Sequence, residues 1–437
     1  MHLHPSHVTT TNYSTGADDV DDGYITLMLH NMLGTMLGAR TRERLGMLRR
    51  FQRAWVVCAV LGLLSLVGVA VYTRTPLIFV SNSLHGSWRL PFGSSYNVPM
   101  SCDALKDIVF LKTHKCASST VMNIFLRYGV THNLTFVLPT SKVTHYIGHP
   151  VPFNHNLITD MRRYNYSNNI LTHHTRFNKA EISYVMPKDS VYVTILRRPE
   201  DVFESLYAYC RLSKKYHKSL TEFVNDDHAL KLMNRKRVIE GKIGFNQMCF
   251  DLGMKTQDVA DDNAVRNFIN FIAENFNLVM IAERFDESLI LLKHLLCWTT
   301  EDMVAFKINA RLDKYKEELS PEVKKRLRQF NGGDVKLYDY FSKLFDQKVA
   351  EFGVDRMAEE VHELRSLRNA YYERCVDRED TLDKVVPEQN RKEVIAFKKK
   401  EDSELCRYMT LTELEFHDLL LKRQKDMIHD MIRSRIT

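Results

Sequence analysis

A chain of 437 residues, 44% hydrophobic and 26% charged, has room for one large α/β domain with appendages or for two domains; composition does not choose between them. A formal net charge of +7, from 61 Lys+Arg against 54 Asp+Glu, falls short of the concentrated basic patch of a nucleic-acid binder, so no nucleic-acid partner is expected. It suits an anionic ligand or an anionic membrane surface equally.

Residues 1–53 read as a polar cytosolic tail. From Ala54 to Thr73 the chain carries no charge, which is long enough to cross a bilayer once, whereas a cleaved signal peptide does not normally lie so far from the N-terminus. Arg40, Arg42, Arg44, Arg49, Arg50 and Arg53 crowd the preceding flank, so the positive-inside rule predicts a single-pass type II anchor over 54–73 with the rest of the chain lumenal. A lumenal location permits disulfides among Cys102, Cys116, Cys210, Cys249, Cys297, Cys375 and Cys406, an odd number that leaves at least one unpaired within the chain. The sequons at Asn133 and Asn165 lie on the same side. Residues 74–104 read as a stem without helical period.

The first strand is predicted at Ile108–Leu111, an uninterrupted apolar run, and a helix pattern follows from Ser118 or Ser119 to Gly129. Val191–Leu196 and the helix after Pro199 repeat this grammar. Leu278–Ala282 and a helix from about Glu287 to Cys297 repeat it again. Alternating strands and helices imply an α/β fold, a parallel sheet flanked by helices, over a catalytic domain at 105–350. Residues 351–437, rich in Glu, Lys, Arg and Leu, read as a helical extension packed on that domain; their apolar heptads do not persist long enough for a coiled coil.

Two strand ends carry chemistry. In the segment from Phe110 to Thr120, Lys115 and the hydroxyls of Ser118, Ser119 and Thr120 stand where a strand turns into a helix. The unpaired N–H groups of a first helical turn can cradle a phosphate or sulfate there. A Walker A loop is excluded, since no glycine occurs between Asp107 and Tyr128. In the second segment Arg197 leaves the strand just before a proline-started helix, and Ser205 follows about two turns in, so fork and hydroxyl can grip one phosphate from two sides. Two such sites on one sheet suit a nucleotide with separated phosphates. The histidines and cysteines lack metal-ligand spacing, and no metal is expected.

The segments at 110–120 and 195–205 resemble the 5′-phosphosulfate and 3′-phosphate motifs of the galactose-3-O-sulfotransferases, type II Golgi membrane enzymes that include galactosylceramide sulfotransferase. Collinear matches continue at 172–177 (T-H-H-T-R-F), 246–253 (N-Q-M-C-F-D-L-G), 283–289, 295–298, 306–311 and 337–341. Cys116 stands where the resemblance leads one to expect threonine. The resemblance implies the sulfotransferase fold and in-line transfer of a sulfuryl group from 3′-phosphoadenosine 5′-phosphosulfate to the 3-hydroxyl of a galactose on a glycolipid or glycan acceptor. It implies donor contacts from Lys115, Cys116, Ala117, Ser118, Ser119, Thr120, Arg197 and Ser205. The catalytic set expected is His174, His114 and Lys115: an acceptor hydroxyl needs a base, for which His173 and His174 lead and His114 follows. His173 and Arg176 are expected on the acceptor. Transfer to another glycan position, a non-catalytic lumenal protein retaining the fold, and a homodimer stay open.

Overall fold

The computed structural model describes residues 102–140, 146–240, 243–386 and 390–436. The predicted tail and anchor and nearly all of the stem lie outside them. Among the described residues no helix is long and apolar enough to cross a membrane.

The apolar run Ile108–Leu111 forms strand β1, every residue of it buried, and helix α1 (Ser118–Thr131) follows across a six-residue turn. The two-residue strand β2 (Ile170–Leu171) and helix α2 (Lys179–Val185) come next, then β3 (Val191–Leu196) and α3 (Pro199–Tyr209). The short helix α4 (Gln247–Asp251) and the amphipathic α5 (Asp262–Asn275) lead to β4 (Leu278–Ile281) and α6 (Phe285–Leu296). The four strands make one parallel sheet in the order β2-β1-β3-β4, with Ile108 opposite both Ile170 and Val191, and Val193 opposite Leu278. All six residues of β3 are buried, as a central strand covered on both faces requires. The expected parallel sheet with flanking helices is therefore present.

Its order has a functional consequence. Connections leave β1 and β2, and β1 and β3, at the same carboxyl edge, which is where an open α/β sheet presents a ligand crevice. The turns after β1, β2 and β3 carry the three segments singled out above.

The long helices α7 (Gly332–Phe352) and α8 (Val354–Cys375) precede a correction to the helical reading of 351–437. Strands β5 (Val376–Thr381) and β6 (Ile395–Lys399) pair as an antiparallel hairpin before α9 (Glu404–Thr410) and α10 (Glu413–Ile436). Six of the eleven strand residues are charged and four are exposed, so no apolar alternation marks them. Disulfide Cys375–Cys406 ties the end of α8 to α9, and Cys102–Cys297 ties the start of the described chain to the end of α6. Helix α10 returns to the sheet domain, where Gln424 accepts the Phe136 N–H at 2.6 Å and Arg423 donates to Leu134 O at 2.7 Å.

Candidate functional site

The turn between β1 and α1 is held by its own hydroxyls. Thr113 donates to Ile195 O on β3 at 2.5 Å, and Ser118 Oγ donates to Thr113 O at 2.6 Å. Lys115 and Ala117 both take φ of 59°, the left-handed region that Walker loops reach with glycine. Ala117 occupies the N-cap without a side-chain cap, so the first N–H groups of α1 remain available to an anion. Arg197 donates from Nη1 to Lys115 O at 3.1 Å, joining the second anionic segment to the first.

These residues line one cavity of about 1160 Å³. His114, Lys115, Ala117 and the three hydroxyl residues of 118–120 form one wall, and His174, Arg197 and Ser205 form another. Lys115 sets its Nζ 4.0 Å over the Tyr209 ring. Burial, with the guanidinium groups of Arg391, Arg311 and Arg197 adding to it, lowers the Lys115 pKa to about 8. A dianionic ligand offsets that loss of hydration.

Three expected contacts fall elsewhere. The Cys116 side chain is fully buried, with its thiol donating to His114 O at 3.3 Å, so it packs in the core. His173 is 1% exposed and meets His417 of α10, Nε2 to Nδ1 at 2.9 Å, outside the cavity. Arg176 spends its guanidinium on the carbonyls of Phe250, Gly253 and Met254, binding the β2 turn to the end of α4. Gly253 is required there: at φ of 99°, a Cβ would stand 2.6 Å from Phe177 O.

Asp251, at the end of α4 and 0% exposed, stands behind the cavity wall. Its Oδ2 accepts the His114 backbone N–H at 2.8 Å and faces His114 Nδ1 at 2.9 Å. Its Oδ1 accepts from Gln247 Nε2 at 2.7 Å and faces His149 Nε2 at 3.3 Å. Burial works to raise the Asp251 pKa, but the charge and hydrogen bonds of His114 and His149 outweigh it and hold the carboxyl well below the usual range. Ligand-type atoms of His114, His149 and Asp251 lie within 4.8 Å of one another, a grouping of the kind that can hold a metal ion. Each carboxylate oxygen already has two hydrogen-bond partners, so the arrangement is a satisfied network. With Nδ1 turned to a carboxylate, the proton of a neutral His114 ring sits on Nδ1 and Nε2 is left as an acceptor. The His174 ring stacks on His114 at 4.3 Å between centroids and on Tyr146 at 5.1 Å.

A further carboxylate enters from the far end of the chain. Glu413, the first residue of α10, lines the cavity, meets the buried Lys112 Nζ at 2.5 Å and accepts from Ser119 Oγ at 3.1 Å.

The model of the galactose-3-O-sulfotransferase family matches residues 44–424. The chain belongs to that family. It is 35% identical over 301 residues to mouse (Mus musculus) galactose-3-O-sulfotransferase 3, covering 65% of this chain and 68% of the relative. To human (Homo sapiens) galactosylceramide sulfotransferase it is 33% identical over 341 residues, covering 72% and 78%. To human galactose-3-O-sulfotransferase 2 it is 34% identical over 310 residues, covering 69% and 75%.

For this galactose-3-O-sulfotransferase family member, sequence reasoning missed Asp251, Gln247 and Glu413 as parts of the site. The first two had a signal: they stand four apart within the matched segment 246–253, which places them on one helix face. Glu413 had none, because its contact with Ser119 spans 294 residues.

Proposed function

We propose that this chain transfers a sulfuryl group from 3′-phosphoadenosine 5′-phosphosulfate to the 3-hydroxyl of a β-galactoside, with His114 as general base. The carrying observation is that His114, oriented from behind by Asp251, shares one cavity with Lys115 and Arg197. The donor supplies the activated sulfuryl group. Lys115 and the N-terminus of α1 bind and neutralise its phosphosulfate, and Arg197 with Ser205 takes the 3′-phosphate. Nε2 of His114 accepts the proton of the acceptor hydroxyl as that oxygen bonds to sulfur, the bond from sulfur to the 5′-phosphate oxygen breaks, adenosine 3′,5′-bisphosphate leaves, and Asp251 stabilises the imidazolium that results. This order reverses the expectation that placed His174 first: His174 stacks on the base and positions it.

The same reading places the enzyme in the Golgi membrane, anchored through 54–73 with the catalytic part lumenal and acting on a galactose-terminated glycolipid or glycan. The disulfides Cys102–Cys297 and Cys375–Cys406 support an oxidising compartment. The test is transfer of radiolabelled sulfate by the full-length protein in detergent to β-galactosides, β-glucosides and β-N-acetylglucosaminides. Incorporation confined to β-galactosides is expected; incorporation into the other glycosides alone, or into none, rejects the reading.

A further inference from the structure

Behind the cavity wall His114, His149 and Asp251 bring three ligand-type atoms within 4.8 Å of one another. Asp251 Oδ2 lies 2.9 Å from His114 Nδ1, and Oδ1 lies 3.3 Å from His149 Nε2. Zinc sits about 2.0–2.2 Å from nitrogen and oxygen ligands, which sets neighbouring ligands roughly 3–3.5 Å apart. The three groups are therefore spaced for coordination with little movement. We propose that this cluster is an inhibitory site for zinc or a similar borderline transition-metal ion, which switches the enzyme off from behind its base. The inference rests on the reading of His114 as base and adds to it a ligand that is neither donor nor acceptor.

The ligand set chooses the ion. Two imidazoles and one carboxylate suit zinc, cobalt or nickel, whereas magnesium and calcium take oxygen ligands. The His114 N–H and Gln247 Nε2 donate to the two Asp251 oxygens at 2.8 and 2.7 Å, and so orient the carboxylate as the outer partners of a metal site do. All three side chains are at least nine-tenths buried, and the Phe250 and Tyr146 rings stand 5.9 and 6.0 Å from that of His149. Entry is from the main cavity, which His114 lines. Three protein ligands leave a fourth position for water. Without metal the same atoms satisfy one another by hydrogen bonds, so the ion competes with a stable network and is readily removed.

Inhibition follows from the tautomer. In the metal-free ring the proton sits on Nδ1 of His114 and Nε2 accepts. Coordination takes the Nδ1 lone pair, so each neutral ring keeps its single proton on the nitrogen away from the ion. Nε2 of His114 then donates where the acceptor hydroxyl needs an acceptor, and Asp251 is spent on the metal. Lys115, Arg197 and Ser205 are not among the ligands, so donor binding survives.

The experiment adds zinc chloride to the full-length enzyme in chelator-free buffer, with magnesium chloride as control, and measures sulfuryl transfer and, without substrates, calorimetric binding of the ion. Zinc is expected to lower kcat, to leave the KM of both substrates unchanged and to be reversed by EDTA, while the same concentration of magnesium has no effect. His2, His4 and His7 offer other ligands, so the deciding comparison is with His149→Gln, which keeps a donor toward Asp251 and removes a ligand. Zinc affinity there is expected to fall by about a hundredfold or more, since loss of an outer partner alone costs about 10–100-fold. Asp251→Asn is the second variant and should lose the same binding event. Equal zinc affinity in the parent and in either folded variant overturns the proposal. So does inhibition competitive with the acceptor, which would put the ion on the cavity face of His114. Zinc that binds the parent, is lost from both variants and yet leaves turnover unchanged would instead reject His114 as base and leave the metal site standing.

Discussion

Asp251 holds His114 twice, through the backbone N–H at 2.8 Å and through the ring Nδ1 at 2.9 Å, so a single buried carboxylate fixes both the turn after β1 and the imidazole that leaves it. Asp251→Asn is expected to lower turnover by about two to four decades, as loss of an oriented base does, while adenosine 3′,5′-bisphosphate still raises the melting temperature. His114→Ala falls in the same range, and the double variant is no worse than His114→Ala alone, because the two act as a unit. His174→Ala costs less than His114→Ala. The opposite order in single-turnover rates would move the base to His174.

Donor affinity depends on pH through Lys115. Its pKa is lowered to about 8 by burial, below the ordinary lysine value, so the ammonium is complete under acidic conditions and is lost as pH rises through 8. Binding of bisphosphate, which requires the charged form, is expected to lose the Lys115 contribution as pH rises through 8 and to weaken toward tenfold per unit well above it. In Lys115→Ala the affinity is lower by about one to two decades and this alkaline limb is absent. Titration calorimetry across that range checks both; an identical limb in the variant would show that another group titrates.

The Lys112–Glu413 pair is buried on the lysine side at 1% exposure and nearly so on the glutamate side at 14%, so removing one partner strands the other. Glu413→Ala is expected to cost about 3 kcal/mol, visible as a fall of several degrees in melting temperature. Lys112→Met combined with Glu413→Gln should be less destabilised than Glu413→Ala, because neither retains a charge. Simple addition of the two single effects would contradict the pairing.

The sequons differ in exposure. Asn165 and Ser167 are both exposed, whereas Thr135 is buried and Asn133 Oδ1 accepts from Arg423 at 2.9 Å. With the catalytic part proposed to be lumenal, glycan is expected chiefly at Asn165. Glycosidase digestion should lower the apparent mass of the parent and of Asn133→Gln, and leave Asn165→Gln nearly unchanged. Absence of any shift in the parent would count against the lumenal assignment.

Strands β1, β3 and β4 and their helices were legible because each pairs an apolar run with helical spacing behind it. β2 was not, since two residues between Asn169 and Thr172 are too short a run to stand out. The catalytic edge was readable as segments but not as directions. Successive side chains leaving a strand point to opposite sides, so His174 lines the cavity while its neighbour His173 turns toward His417. Cys116 likewise turns inward between two cavity-lining residues. Asp251 could be found only by asking what lies four residues from Gln247 on the helix, and Glu413 only from the fold, because α10 reaches the site after crossing the whole chain.

The most direct measurement is the position of the sulfate in the product. Full-length enzyme, 3′-phosphoadenosine 5′-phosphosulfate and a β-galactoside are incubated to completion and the product is examined by proton NMR. A single sulfated product is expected, in which galactose H3 carries the large downfield displacement, with no product from His114→Ala on the same timescale. Sulfate on another carbon, or undiminished product from His114→Ala, would contradict it.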